Sequence, residues 1–147
     1  MGLNSMNREI VTSAIGADLV RAELSFFARH FQERGQKVCG ALFGFAWGND
    51  YYPGSEWDHV SIPLADLVQE VERVESQGWG RVGADDLFIT LKELGVEFRF
   101  CHEADIHLTF EAGAELGEFY FERWSALGFA PSEWEVLHAG KLGAKIR

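Results

Sequence analysis

Leu87–Phe110 reads LFITLKELGVEFRFCHEADIHLTF, and its pattern decides the fold. Leu87, Ile89 and Leu91 share one parity, as do Val96, Phe98 and Phe100, and then Ile106, Leu108 and Phe110. A period of two places alternate side chains on the same face of a pleated strand. Three such runs joined by short polar connections predict an antiparallel meander with one buried face. The same stretch gathers Cys101, His102, Glu103, Asp105 and His107 at one hairpin.

Outward from the meander, the spacing becomes helical. Residues 7–34 predict a helix interrupted near Gly16, because Leu19 or Val20, Leu24, Phe27 or Ala28, and Phe31 recur every three to four positions before Gly35. Val38–Trp47 (VCGALFGFAW) reads as a buried strand in which Gly40 and Gly44 allow close approach of another backbone. Asn49–His59 is rich in turn residues and aromatics and reads as an exposed loop. Ser61-Ile62-Pro63 opens a second helix, with Pro63 in the first turn, where a missing N–H costs little. Its stripe is Leu64, Leu67, Val68, Val71 and Val74, and Gly78 closes it. Ala112–Leu127 predicts a third helix with Leu116, Tyr120, Trp124 and Leu127 facing the core, and Glu133–His138 a last strand. The expected fold is a single two-layer α+β domain over residues 1–147, with the meander at the centre of an antiparallel sheet and helices packed on one face. Residues 139–147 read as a frayed tail. Met6 is an alternative start, which would make Met1–Ser5 a disordered extension.

At 147 residues and 47% hydrophobic content, the chain is long and apolar enough to bury a core without staples. Cys39 and Cys101 are too few for a disulfide framework, which favours a reduced, cytoplasmic setting. No apolar run approaches the roughly 18 residues of a membrane span. The net charge of −10 is uneven: Asp50 to Glu135 carries 19 acidic and 5 basic residues. Such a surface opposes nucleic acid and anionic membrane, and favours a basic protein partner.

Two constellations carry chemistry. In the first, a Glu103-Ala104-Asp105 connection would pair Phe100 with Leu108 and set Cys101 opposite His107, within reach of each other across the strands. Arg99 beside them would favour the thiolate, which sketches a Cys–His nucleophile. No oxyanion donors or orienting third group accompany it, so no catalytic residue is assigned. The same hairpin offers His102, Asp105 and His107 as a metal trio, although alternation points the two histidines to opposite sides. Phosphate-cradling glycine motifs and a serine nucleophile elbow are missing, and no cofactor is expected.

The second constellation is acidic. Glu111, Glu115, Glu118 and Glu122, spaced four, three and four apart, would stack along one face of the third helix. Opposed potentials steer encounter with a basic surface, and Tyr52 and Trp57 in the aromatic loop would supply buried anchors. In size, charge and lack of a catalytic motif the chain is similar to the small acidic immunity and antitoxin proteins of bacteria, which neutralise toxins by binding them. The expected function is therefore a non-enzymatic, cytoplasmic binding protein for a basic partner such as a toxin. The alternative is a small enzyme or a metal- or small-molecule-binding domain centred on Cys101, His102 and His107. A homodimer built on the outer sheet face or an unpaired edge is compatible with both.

Overall fold

A computed structural model describes residues 7–44, 47–52, 59–137 and 141–147. In chain order the elements are β1 (Asn7–Val11), α1 (Ala17–Glu33), β2 (Val38–Phe43), the single turn α2 (Gly48–Tyr51), β3 (Val60–Pro63), α3 (Leu67–Ser76), β4 (Leu87–Leu91), β5 (Val96–Phe100), β6 (Ile106–Glu111), α4 (Glu115–Ala126), β7 (Ser132–Val136) and β8 (Leu142–Lys145). The strands form one sheet in the order β3-β2-β4-β5-β6-β1-β7-β8, and every neighbouring pair is antiparallel.

The meander occupies the middle of that order, and its nine inward residues are buried. Ile89 pairs with Phe98, Phe98 with Leu108, and Leu108 with Ile10, so one apolar row crosses four strands. Phe98 is the hub of the core. Its ring lies 4.8 Å from Phe27 and 5.9 Å from Phe31 of α1, and 5.0 Å from Tyr120 and 6.4 Å from Trp124 of α4. Edge-to-face aromatic pairs add about 0.5–1.5 kcal/mol each beyond the area they bury. α3 contributes Leu67, Val71 and Val74 from the stripe the sequence predicts.

Several elements differ from the sequence expectation. Asn7–Val11 is a strand rather than the start of a helix, with Ile10 turned into the core and Glu9 on the opposite parity. The helix begins only after Gly16, at φ 93°. Val60–Pro63 is an edge strand in which Ile62 packs opposite Cys39, and the chain turns helical only beyond Pro63. α4 starts at Glu115 because Gly113, at φ 89°, turns the chain between β6 and the helix. Leu127 falls past its end and is exposed rather than core-facing. The stretch read as a frayed tail contains β8, which pairs with β7.

The predicted aromatic loop is partly core. Tyr51 packs 4.2 Å from Phe43 and Tyr52 is only 8% exposed, while Trp47, expected within the strand, lies past the end of β2 at Phe43 and packs 4.9 Å from that ring. The Met1–Ser5 extension and Trp57 lie outside the described residues.

Candidate functional site

The β5–β6 turn has the three residues the sequence suggests but is set one residue earlier. Phe100 pairs with Ile106 and Arg99 with His107. The Cys101 N–H donates to the Asp105 carbonyl at 3.0 Å, which leaves His102, Glu103 and Ala104 as the loop. Ala104 adopts φ 61°, a left-handed conformation that costs a non-glycine residue roughly 1–2 kcal/mol. Cys101 therefore faces Asp105 across the strands, not His107. The two registers differ by two residues, so both keep the apolar rows inside, and the turn alone selects between them.

Around this turn polar side chains close over the thiol. Arg99 Nη2 donates to Cys101 Sγ at 3.3 Å, and His102 Nδ1 lies 3.7 Å from the sulfur. His102 is held to Asp86 twice, by its backbone N–H at 2.7 Å and its Nδ1 at 2.9 Å. Asp86 is itself anchored, since its carbonyl accepts the Gly44 N–H at 2.9 Å and the Trp47 indole N–H at 2.8 Å. Gly44 makes that approach feasible: a Cβ there would sit 3.0 Å from the Asp86 Cβ. On the other side of the sulfur, His107 Nε2 lies 3.3 Å from Asp105 Oδ2, and His107 Nδ1 lies 3.6 Å from Glu9 Oε2.

The electrostatics do not assemble a nucleophile. Cys101 is 1% exposed, and burial pushes its thiol up, with Asp105 adding to that shift while Arg99 and the Glu103 backbone oppose it. The same nitrogen of His102 faces both the sulfur and Asp86, so the imidazole cannot hold Asp86 with one nitrogen while taking a proton with the other. The register pairs His107 with Arg99 instead of Cys101, although the His107 ring still comes within 4.8 Å of the sulfur. The predicted metal trio is also divided: Asp105 and His107 come together, whereas His102 turns away to Asp86. Two mixed donor sets replace it, Cys101/Asp105/His107 and Asp86/Cys101/His102, each with donor atoms within 4.8 Å of one another. Asp86 and Glu9, contributed by distant segments, carry no sequence signal for this cluster.

The acidic row is placed differently. Glu115, Glu118 and Glu122 are exposed on α4, while Glu111 is the exposed last residue of β6. Glu118 pairs with Arg147 at 2.8 Å, and Arg147 reaches the buried Glu133, also at 2.8 Å. Among the described residues, Glu111, Glu115 and Glu122 enter no salt bridge. Tyr52 belongs to the core edge, where its hydroxyl accepts the Phe43 N–H at 3.1 Å, so it offers a partner little surface. The sequence reading overlooks Phe119, which is 41% exposed and stacks on His30 at 4.6 Å. Its signal was its position between Glu115 and Glu122, four and three residues away on the same helix face.

No protein-family model, curated protein or solved structure matches this chain. Among the described residues, no helix is long and apolar enough to cross a membrane.

Proposed function

We propose that the chain is a non-enzymatic, cytoplasmic binding protein that holds a basic protein partner on the outer face of α4. Its finer form is an immunity- or antitoxin-type inhibitor of a bacterial toxin. The observation that carries this reading is an exposed aromatic ring set among exposed carboxylates: Phe119 lies beside Glu115, Glu118 and Glu122. An exposed apolar anchor supplies affinity, and acidic neighbours steer a basic surface toward it. Phe119 takes the anchoring role that the sequence assigned to Tyr52 and Trp57.

The test is a pull-down from the native host's lysate at low and high salt, read by mass spectrometry, with wild type beside Glu115→Lys/Glu122→Lys. These two positions leave the Glu118–Arg147–Glu133 chain of ion pairs untouched. The reading expects a basic protein retained by wild type at low salt, released at high salt and lost by the double variant. Retention of the same proteins by both forms at either salt overturns it.

A further inference from the structure

We propose that Cys101, Asp105 and His107 bind a thiophilic divalent cation of the zinc class at the β5–β6 turn. The three side chains supply a thiolate sulfur, a carboxylate oxygen and an imidazole nitrogen, the donor types zinc takes. All three donor atoms lie within 4.8 Å of one another. Zinc bond lengths imply tetrahedral donor separations of about 3.3–3.8 Å. The His107 Nε2 to Asp105 Oδ2 distance of 3.3 Å already meets that value. Small side-chain rotations would bring the sulfur in, and water would take the fourth position.

A second, independent observation concerns Asp105. Its Oδ1 is buried and accepts no hydrogen bond. A buried acceptor without a partner is costly, and native proteins rarely leave one. The nearby charge points the same way. With a neutral thiol, Asp86, Asp105 and Glu9 outnumber Arg99 by two negative charges; a divalent cation, with the thiolate it ionises, reduces that excess to one. Binding replaces the thiol proton with the metal–sulfur bond, releasing one proton. Arg99 can remain as an N–H donor to the bound sulfur, and Glu9 stands behind His107 at 3.6 Å, where a carboxylate orients a metal-binding imidazole.

The competing donor set is already committed. Asp86 Oδ1 accepts both the backbone N–H and the ring of His102, and the His102 side chain is 52% exposed. The other cysteine, Cys39, is buried with its thiol pushed up to about 12, and it belongs to neither donor set.

The test uses the full chain, reduced and stripped with a chelator, then titrated with Co2+ as a spectroscopic stand-in for zinc. We expect one equivalent to bind, with a thiolate-to-cobalt charge-transfer band in the near ultraviolet that Zn2+ erases. Cys101→Ser should remove that band and Cys39→Ser should keep it. Asp105→Asn and His107→Gln should each weaken binding at least tenfold. They also carry the test should Cys101→Ser fail to fold by circular dichroism. A missing thiolate band, a band that survives Cys101→Ser or goes with a folded Cys39→Ser, or unchanged affinity in the Asp105 and His107 variants each overturns the proposal.

Discussion

The α1–α4 interface and the β5–β6 turn both put a carboxylate under cover, and they treat it in opposite ways. Glu23 of α1 is 5% exposed and fully engaged: Oε1 accepts from Arg123 Nε at 3.2 Å and from the Trp124 indole at 2.8 Å, while Oε2 takes Arg123 Nη2. Asp105 shares one oxygen with a histidine and leaves the other without a donor. A cation is built into the first site as arginine. At the second, the nearest guanidinium is turned to a sulfur. The difference separates a carboxylate that holds the fold together from one with coordination to spare.

The largest effect expected from breaking this comparison comes from Glu23→Ala. It strands Arg123 and the buried Trp124 N–H, and should cost about 3 kcal/mol, the low end for a broken buried pair because Arg123 remains partly in water. Asp105→Asn, unfolded beside it in denaturant with chelator present, should change stability by less than about 1 kcal/mol, since no strong native bond is lost. Equal losses in the two variants would erase the distinction.

A smaller effect isolates the helix interface. α4 lies close to β6 because Gly117 leaves room for the Phe110 ring; an added Cβ would sit within 2.5 Å of two of its carbons. Gly117→Ala should therefore cost about 2 kcal/mol by overpacking, after a gain in helix propensity of up to about 1 kcal/mol. The helix must shift outward, loosening Trp124 from Glu23 while the β5–β6 turn is unaffected. Denaturation midpoints for the first effect and cobalt affinity for the second separate the two regions. A midpoint equal to wild type would show that the helix accommodates the methyl group without strain.

The sequence made the centre of the sheet legible because its inward rows are uniformly apolar, and hydrophobic alternation reports just that. The pattern fails at β1, which reads as helix, and although β7 is found where a last strand is expected, hydropathy does not show how the two strands pair. Arg8 and Ile10 alternate inward on β1, and the residue opposite Ile10 on β7 is Glu133. Glu133 is buried against Arg8 at 3.1 Å and Arg147 at 2.8 Å, so this end of the sheet is covered by an ion-pair network that hydropathy cannot register. Of the metal-type residues at the hairpin, the sequence identified the members but not their partners, because a slip of two residues preserves every parity. The acidic row was legible for its three helical members. Glu111 falls outside the row because Ala112-Gly113-Ala114 reads as the first turn of a helix, whereas Gly113 marks the break before it.

The smallest effect tests whether Phe119 is free to serve a partner or serves the fold. Its ring and that of Phe26 both lie against His30, at 4.6 and 5.2 Å, and 6.3 Å from each other, and His30 Nδ1 meets the Tyr120 hydroxyl at 2.9 Å. Burial lowers the His30 pKa below the ordinary imidazole value; Arg34 and Arg123 push the same way, and Glu33 opposes them. A lowered pKa in the folded state means the unfolded chain takes up the proton first. The stability due to neutral His30 is thus present above about pH 6.5 and is lost as pH falls through the folded value. Phe119→Ala opens one side of the ring to water, so an NMR titration should find the His30 pKa moved back up toward the ordinary value, and the acid side of the stability profile should flatten. An unmoved pKa would mean that Phe119 does not shield His30. A rise would mean that the ring serves both: it covers His30 within the fold and still presents its outer face between the carboxylates of α4.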